Sequence, residues 1–357
     1  MNLIGNVFGA PTGYQIHTYN CAKALIDAGV DLAIQTQPID YKLEMDANIV
    51  EACKKRMHDG AATEMIMLAE QWRFKLADRL KLIGYLVFEG DKIPLTWEKA
   101  CSEPEILEIW CPSKHTKDSI RNAGVDKPIH IIPHGFNENI FKPKEREENE
   151  AFRFLYVGGW SRGINDRKNV SALVKAFKDE FKPNEKAELV LKINLAYGGI
   201  HPIQALNEMK PNLKDGAPVH LITDFLPEER LAELYQSSDV FSCVSRAEGF
   251  GMPYLEAMGC GNYIISTNFG GQIGFIPKWN KIIGGELKPC SEFTDELYYE
   301  RSNWLEVDYE KLKESLRWAF ENREKVKISG EKNAKYALKD WKWSDVSKKI
   351  IKRMEEI

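Results

Sequence analysis

The segment VFSCVSRAEGFGMPYLEAMGCGNYIIST, residues 240–267, joins two short apolar runs through a glycine-rich turn and a stretch with helical spacing. Apolar runs rich in β-branched and aromatic residues on both sides of such a stretch predict a strand–helix–strand unit with parallel strands. Pro253 suits the first turn of the helix, because the N–H that proline lacks would have no partner there. The segment therefore predicts one crossover unit of a parallel sheet, with Glu248 in the loop and Glu256 in the first helical turn.

Short apolar runs alternate with amphipathic stretches along most of the 357-residue chain, and they fall into two series. The first series extends from LIGNVF (3–8) to PIHIIP (128–133), and the second from FRFLYVGGW (152–160) to NYIISTNF (262–269). Such alternation predicts parallel sheets with helices on both faces. Since the chain is also longer than one typical core, we expect an α/β protein with two doubly wound, Rossmann-like domains that face a central cleft.

The segment PHGFNENIFKPKEREENEA (133–151) lies between the two series and is polar, charged and without periodicity. These properties are typical of an interdomain linker. We therefore expect an N-terminal domain over residues 1–140 and a C-terminal domain over residues 141–335. Residues 336–357 have a helical pattern and are expected to cross back to the N-terminal domain. The side chains available to dock this helix are Trp341, Trp343, Val346, Ile350 and Ile351.

Composition argues against several classes of protein. The formal net charge is −4, which leaves no basic excess for binding nucleic acid. The seven cysteines are odd in number and form no C-x-x-C pair, so they fit a reducing cytosol better than a disulfide framework or a zinc site. No apolar run approaches the roughly 18 residues that a membrane span needs, and the N-terminus has no signal pattern. We expect a cytoplasmic protein without a transmembrane segment, in an oligomeric state that stays open.

The loop after VFSCVS leads into the start of a helix, where backbone N–H groups and the helix dipole attract anions. The glycines of this loop would let an anion approach the backbone of four residues, Gly249, Phe250, Gly251 and Met252. Glu248 and Glu256 lie on either side of this cradle, and carboxylates bind hydroxyl groups but repel phosphate. The order acid, cradle, acid therefore matches a nucleoside diphosphate sugar, whose hexose and ribose hydroxyls flank a pyrophosphate.

Cations for the pyrophosphate occur in GGWSRGINDRKN (158–169), which follows the first strand of the second series. Because ligands bind at the carboxyl ends of parallel strands, we expect Arg162, Arg167 and Lys168 on the same side of the sheet as the cradle. A simpler alternative is that the two acids only stabilise a helix dipole and that the basic residues lie on the solvated surface.

Taken together, these segments resemble the retaining glycosyltransferases of family 4, whose two Rossmann-like domains form the GT-B fold. The stretch SRAEGFGMPYLEAMGCGNYIIST (245–267) resembles the E-x7-E signature of that family. Further stretches resemble family segments in family order, so that the resemblance spans nearly the whole chain. They are FEGDKIPLTW (88–97), EIWCPSKHTKDSIRNAG (108–124), IHIIPHGFNENIFKP (129–143), LYVGGWSRGINDRKN (155–169) and DFLPEERLAELYQSSDVF (224–241).

The resemblance implies roles for the donor-side residues. Glu248 would contact the hydroxyls of the donor sugar, and Glu256 would hold the ribose. Lys168 would neutralise the diphosphate together with Arg162 or Arg167, which remain alternatives because SRGIND is longer than the usual family spacing. The base would meet the backbone around three residues, Thr223, Phe225 and Leu226.

A mechanism is implied as well. Family members are thought to react on one face of the sugar, so that the departing phosphate takes the proton of the acceptor and donors aimed at the leaving group supply most of the catalysis. Glu248, Arg162 and Lys168 would then be the catalytic residues. No aspartate lies two residues from another, so the D-x-D pair that holds a divalent ion in other sugar transferases is missing. We expect metal independence and no cofactor beyond the nucleotide sugar, with GDP-mannose as the first donor candidate and UDP-glucose or UDP-N-acetylglucosamine as the next.

The N-terminal domain is expected to receive the acceptor, a hydroxyl of a glycan, a glycoprotein or a lipid-linked sugar. The stretch FGAPTGYQIH (8–17) is not G-x-G-x-x-G, which argues against a nicotinamide site. Its Gly13 is a candidate for contact with the donor and its Tyr14 for contact with the acceptor. Many family members carry a histidine after the strand equivalent to GYLVF, whereas this chain has Glu89 and Asp91, which become acceptor-side candidates unless they only shape the turn.

Two other functions fit the same residues. A sugar-nucleotide epimerase or a phosphorylase on the same fold would bind the same donor. A non-catalytic protein that binds a nucleotide sugar would need the same contacts to phosphate and sugar, because those contacts serve binding as well as catalysis. Release of free nucleoside diphosphate only in the presence of an acceptor would favour the transferase over both.

Overall fold

The structure is a computed structural model that describes residues 1–5, 12–36, 46–56, 64–66, 82–145, 150–160, 166–195 and 201–357, with the backbone alone at Glu64–Ile66. The chain divides into two compact units. We call Met1–Gly135, Leu297–Ser302 and Trp341–Ile357 the N-terminal unit, and Phe136–Glu296 and Asn303–Asp340 the C-terminal unit.

The N-terminal unit is built on a parallel sheet of short strands. In chain order they are β1 (Asn2–Ile4), β2 (Ala33–Gln35), β3 (Glu64–Ile66), β4 (Leu82–Tyr85), β5 (Ile106–Cys111) and β6 (Ile129–Ile131). Their order across the sheet is β2-β1-β3-β4-β5-β6, and every described pairing is parallel. The direction of chain progression reverses between β1 and β3, which makes the carboxyl end of β1 a topological switch point.

The C-terminal unit has a second parallel sheet and a separate hairpin. The sheet strands are β7 (Phe152–Gly158), β8 (Ala187–Ile193), β9 (Val219–Ile222), β10 (Val240–Cys243), β11 (Tyr263–Thr267) and β12 (Lys281–Ile283). They lie in the order β12-β11-β10-β7-β8-β9, so that the switch point falls between β7 and β10. The antiparallel hairpin, which the sequence analysis did not predict, pairs β13 (Gly285–Pro289) with β14 (Asn303–Val307).

Helices connect the strands as the alternation of apolar and amphipathic stretches predicts. They are α1 (Gly13–Asp27), α2 (Ala47–Lys54), α3 (Leu95–Ser102), α4 (Lys114–Asn122), α5 (Val170–Glu180), α6 (Pro202–Met209), α7 (Glu228–Gln236), α8 (Met252–Gly259), α9 (Tyr309–Glu321), α10 (Arg323–Asp340) and α11 (Trp343–Glu355). Ser113 caps α4 as predicted, since its Oγ accepts a hydrogen bond of 3.1 Å from the backbone N–H of Thr116. The α/β class with Rossmann-like parallel sheets is therefore confirmed.

The division between the units falls between Gly135 and Phe136, not after residue 140. Phe136 and Phe141 are each only 2% exposed, although the segment that contains them shows no apolar periodicity. The ring of Phe141 packs edge-on against Tyr235 of α7, with 6.0 Å between the centroids. These two isolated aromatic residues bind their part of the segment 133–151, which we expected to be a linker, to the C-terminal unit.

The chain end returns to the N-terminal unit from Trp341 onward rather than from residue 336, and the short stretch Leu297–Ser302 also belongs there. Val346 and Ile350 of α11 are buried. Arg353 holds the helix to β5, since its Nε donates to the carboxylate of Glu108 at 3.1 Å. Glu108 is 3% exposed, so this ion pair orients α11 against the sheet.

A cluster of four aromatic rings lies in the core of the N-terminal unit. His17 of α1 lies 4.5 Å from Tyr85, 4.2 Å from His134 and 5.6 Å from Trp343, measured between ring centroids. Burial lowers the pKa of His17 to about 3. Burial also lowers the pKa of His134 well below its usual value, with a further contribution from His17. Both imidazoles are therefore neutral in the folded protein.

This cluster predicts a loss of stability in acid. The unfolded chain protonates His17 near pH 6.5 whereas the folded chain does so only near pH 3, so stability is complete above about pH 6.5 and is lost progressively below it. At pH 5 the loss from His17 alone should be about 2 kcal/mol. Hydrogen-exchange protection of α1, measured at pH 7 and pH 5, should therefore fall less in His17→Phe than in the unchanged protein.

His220 provides the control, because it lies on β9 with a side chain that is 53% exposed. His220→Gln should leave the pH dependence of α1 protection unchanged. Equal pH dependence in His17→Phe and the unchanged protein would show that the buried imidazole does not control this acid sensitivity.

Candidate functional site

The centre of the candidate site is an ion pair between Lys168 and Glu248. Lys168 follows β7 and Glu248 follows β10, and these strands are parallel neighbours, so their carboxyl ends lie together at the switch point. Lys168 Nζ lies 2.6 Å from Glu248 Oε1. Arg167 Nη1 lies 3.5 Å from Glu248 Oε2 and donates to the carbonyl of Ala247 at 2.7 Å. The structure thus brings together three of the predicted site residues.

Glu248 is 5% exposed but ionised. Burial alone would raise its pKa, but the positive charges of Lys168 and Arg167 outweigh burial and hold the pKa below its usual value. Ser245 Oγ adds a hydrogen bond of 2.6 Å to Glu248 Oε1. The result is a buried carboxylate with fixed orientation and full charge at neutral pH.

A tight turn sets the position of Lys168. The carboxylate of Asp166 accepts a hydrogen bond of 2.9 Å from the backbone N–H of Lys168, and the Asp166 carbonyl accepts one of 3.0 Å from Asn169. Asn169 has a φ of 55°, in the left-handed region that asparagine tolerates better than most residues. Sequence reasoning assigned no role to Asp166, although an aspartate two residues before the N–H that it binds is a recognisable turn signal.

Arg246 also contributes to the site without having been predicted. Its backbone N–H donates to the carbonyl of Arg167 at 2.8 Å, and its guanidinium donates to the carbonyl of Asp166. Its Nε lies 2.6 Å from Glu306 Oε2 on β14. Arg246 belongs to the glycine-rich loop after β10, but its partner Glu306 lies 60 residues further along the chain, on the hairpin that the sequence did not predict.

The predicted anion cradle lies at the start of α8. Gly251 has a φ of 93°, and a Cβ there would lie 2.7 Å from the ring of Tyr254, so this position requires glycine. The side chains of Phe250 and Met252 are buried, and the Phe250 ring packs 4.9 Å from Phe275, measured between the centroids. Any contact from Phe250 or Met252 to an anion would therefore come from the backbone.

Glu256, on α8, is half-buried and titrates near neutrality. Its Oε2 accepts a hydrogen bond of 3.0 Å from the hydroxyl of Tyr235. Burial and, to a smaller extent, the charge of Glu228 raise the pKa of Glu256 to about 7, against the opposing effect of the Tyr235 hydrogen bond. Burial also raises the pKa of Glu228, whose Oε2 accepts a hydrogen bond of 3.2 Å from Asn137. The charges of the two acids therefore influence each other alongside α7.

Four candidates of the C-terminal half remain, of which three lie away from the pair of Lys168 and Glu248 and one lies outside the described residues. Thr223, Phe225 and Leu226 follow β9, which is three strands away from β10, or about 14 Å at the usual strand spacing. Phe225 is 62% exposed and presents an open aromatic face. Arg162 lies outside the described residues, so the choice between Arg162 and Arg167 as partner of Lys168 stays a prediction.

The acceptor-side candidates lie in the N-terminal unit. Tyr14 is in the first turn of α1, beside Gly13, which therefore lies in a different unit from the other donor-side candidates. Glu89 Oε2 accepts a hydrogen bond of 3.3 Å from Tyr299, and the carbonyl of Asp91 accepts one of 2.8 Å from Asn122. These contacts fix the loop after β4.

The described residues contain neither a cluster suited to a metal ion nor a helix suited to cross a membrane. Within those ranges, no group of three or more histidine, cysteine, aspartate or glutamate side chains is arranged to hold a metal ion. No helix among them combines the length and the apolar character needed to cross a membrane. None of the seven cysteines, all of which lie within these ranges, forms a disulfide.

The part of the chain that carries Lys168, Glu248 and Glu256 has known relatives. Residues 151–280 match the family model of glycosyl transferases group 1. The chain is 28% identical over 156 residues to the mannosylfructose-phosphate synthase of Agrobacterium fabrum, which covers 41% of this chain and 34% of that relative. This chain thus matches well under half the length of that relative.

Solved structures extend the likeness to the whole chain. The sucrose-phosphate synthase of Thermosynechococcus elongatus is 15% identical, with a TM-score of 0.72, and the match covers 99% of this chain and 98% of that one. HepE of Anabaena, solved with UDP and glucose, is 12% identical with a TM-score of 0.68 and full coverage of both chains. These likenesses confirm the fold, two Rossmann-like domains of the GT-B type.

Gly270, which lies within the segment matched by the group 1 family model, packs closely against the backbone of Glu248. Gly270 has a φ of 127°, and a Cβ there would lie 2.8 Å from both the backbone nitrogen and the carbonyl oxygen of Glu248. Gly270→Ala should therefore destabilise the C-terminal unit by about 3 kcal/mol through strain and overpacking. Urea unfolding should detect the loss.

Gly274→Ala is the matched control, because a Cβ at Gly274 meets nothing within 4 Å. It should change the unfolding free energy by no more than about 0.5 kcal/mol. Similar unfolding curves for the two variants would contradict the close approach of Gly270 to Glu248.

Proposed function

We propose that the chain is a retaining, metal-independent glycosyltransferase that moves a hexose from a nucleoside diphosphate sugar to a hydroxyl acceptor. The observation that carries the proposal is the buried pair of Lys168 and Glu248 at the switch point, next to the start of α8. Such an edge of a parallel sheet is where nucleotides bind in doubly wound folds. The group 1 family match over the same residues supports it.

The charges of the site suit a leaving diphosphate. Arg167 and Lys168 lie side by side, and the N-terminal end of the α8 dipole adds a further positive potential. As the bond from the anomeric carbon to the diphosphate breaks, negative charge grows on the diphosphate, and fixed positive groups stabilise that charge without having to reorganise. We assign Lys168, with Arg162 or Arg167, to this role.

Glu248 suits the sugar end of the donor. A buried, ionised carboxylate that is already oriented by Lys168 and Ser245 can accept hydrogen bonds from sugar hydroxyls without further ordering. On our proposal the acceptor hydroxyl attacks the anomeric carbon on the face that the diphosphate leaves. The oxygen of the departing phosphate takes the hydroxyl proton, so that no side-chain base is required.

The other assignments follow from the resemblance and remain part of the proposal. Glu256 holds the ribose, and the stretch from Thr223 to Leu226 meets the base. The N-terminal unit receives a glycan, glycoprotein or lipid-linked acceptor in the cytoplasm, with Glu89, Asp91 and Tyr14 as its contacts. The donors to test first are GDP-mannose, UDP-glucose and UDP-N-acetylglucosamine.

A thermal-shift panel tests the donor site directly. A ligand that binds only the folded chain raises its melting temperature, so GDP, UDP and the three nucleotide sugars are each added to the protein. Either the guanine nucleotides or the uracil nucleotides should raise the melting temperature. Lys168→Met should weaken the binding of that diphosphate by about tenfold or more, because it removes a charge-assisted hydrogen bond to phosphate.

Lys175→Met is the matched control, since Lys175 lies on α5, forms a 2.6 Å ion pair with Asp179 and has a side chain that is 46% exposed. It should leave the shift unchanged. No shift with any ligand would contradict the proposal. Binding without acceptor-dependent release of the nucleoside diphosphate would instead favour the non-catalytic binding protein.

The ionisation of Glu256 provides a second test. An ionised carboxylate accepts hydrogen bonds from both ribose hydroxyls, and the pKa near 7 means that the charge is lost as the pH falls from 8 to 6. The affinity for GDP or UDP should therefore fall several-fold over that range, and Glu256→Gln should remove this part of the pH dependence. Isothermal titration calorimetry measures both.

The 2′-deoxy diphosphates are the matched ligands for this test, because they lack one of the two hydroxyls. Glu256→Gln should lower the affinity for UDP or GDP more than it lowers the affinity for the 2′-deoxy form of the same nucleotide. An equal loss for both forms would place the ribose 2′-hydroxyl away from Glu256.

A further inference from the structure

Arg246 joins three segments of the C-terminal unit. Its backbone N–H donates to Arg167, and its own carbonyl accepts a hydrogen bond of 3.0 Å from the N–H of Leu305 on β14. Its guanidinium donates to the carbonyl of Asp166 and forms the 2.6 Å ion pair with Glu306, also on β14. One residue of the loop after β10 therefore links the turn of Lys168 to the β13–β14 hairpin.

The guanidinium of Arg246 is buried and packs against an aromatic ring. Arg246 is only 5% exposed, and its guanidinium lies 4.3 Å from the centroid of the Phe293 ring. A planar guanidinium stacks on an aromatic face and presents its donors in a rigid fork, whereas the ammonium of lysine is a compact charge on a flexible stem. Because its donors face the Asp166 carbonyl and Glu306, Arg246 can influence Lys168 through the turn that begins at Asp166.

We infer that Arg246, held by Glu306, is a positioning residue that fixes the turn from Asp166 to Lys168 and so aims the ammonium of Lys168 at the diphosphate. This inference rests on the proposed function for its ligand, but its structural part concerns the turn alone. The β13–β14 hairpin then contributes to the donor site although it lies outside the sheet.

The packing around Arg246 and Glu306 is open on one side. A cavity of about 300 Å³ borders the link on one side, and its lining includes Asn169, Arg246, Glu306 and Tyr309. On the side of the cavity, the ion pair of Arg246 and Glu306 has no close-packed neighbours that would hold the guanidinium in place once Glu306 lost its charge. Loss of the ion pair should therefore move Lys168 rather than be absorbed by the surroundings.

The test combines Glu306→Gln with Lys168→Met. Isothermal titration calorimetry with GDP and UDP measures the affinity of the unchanged protein, both single variants and the double variant. We expect Glu306→Gln to weaken the binding of the diphosphate by about fivefold in the presence of Lys168, which is less than the complete loss of a charge-assisted hydrogen bond because the ammonium is misplaced rather than removed. In the Lys168→Met background Glu306→Gln should have no further effect, because there is no ammonium left to misplace.

The matched control is Glu180→Gln, which changes another arginine–glutamate pair of the same unit. Arg317 Nε lies 2.8 Å from Glu180 Oε1, and the Glu180 side chain is 21% exposed against 28% for Glu306. Glu180→Gln should leave the affinity for either diphosphate unchanged. If Glu306→Gln does not fold, Arg246→Lys replaces it in the same cycle, since it keeps the charge but loses the planar fork.

A measurement without ligand separates this inference from the proposed function. Hydrogen exchange at the backbone N–H of Lys168 should be faster in Glu306→Gln than in Glu180→Gln, whether or not any nucleotide binds. Failure of the unchanged protein to bind either diphosphate would overturn the proposed function and, with it, the role of Lys168 towards phosphate. Unchanged exchange, or an equal affinity loss with and without Lys168, would overturn the positioning role of Arg246.

Discussion

The buried ion pair of Lys168 and Glu248 is the interaction on which the candidate site depends. A carboxylate that is 5% exposed would be costly to bury alone, and two cations from the neighbouring strand's turn keep it charged. Each partner therefore needs the other to be in place. The pair gives the site a fixed negative group and a fixed positive group at a distance of 2.6 Å, which are the two kinds of contact that a sugar and its phosphate require.

The sheet topology brings the two partners together. Lys168 and Glu248 lie 80 residues apart in the chain, yet they follow strands that are adjacent because the strand order reverses between β7 and β10. The supporting residues come from further along the chain. Gly270, after β11, approaches the backbone of Glu248, and Glu306, on β14, holds Arg246. The site is thus assembled from the ends of three neighbouring strands and a hairpin.

Local signals predicted much of this arrangement correctly. Glycine, proline and the alternation of apolar runs identified the strand–helix–strand unit of β10, α8 and β11, and Ser113 marked the start of α4. Other parts gave no local signal. Phe136 and Phe141 are two isolated aromatic residues in a polar segment, and β13 of the hairpin carries the exposed Glu286 and the half-buried Lys288. Their burial or pairing depends on residues that are distant in the chain.

The sequence by itself determined the α/β class, the two series of strands and helices, and the identity of the acids and cations of the candidate site. Periodicity and turn residues suffice for these features, because they reflect interactions between residues close in the chain. Only the tertiary structure decided that Glu248 is buried and paired with Lys168, that burial brings the pKa of Glu256 to about 7, and that Arg246 ties the Lys168 turn to β14. Burial, pairing and pKa depend on which groups surround a side chain in space, and that is set by the order of strands in the folded sheet.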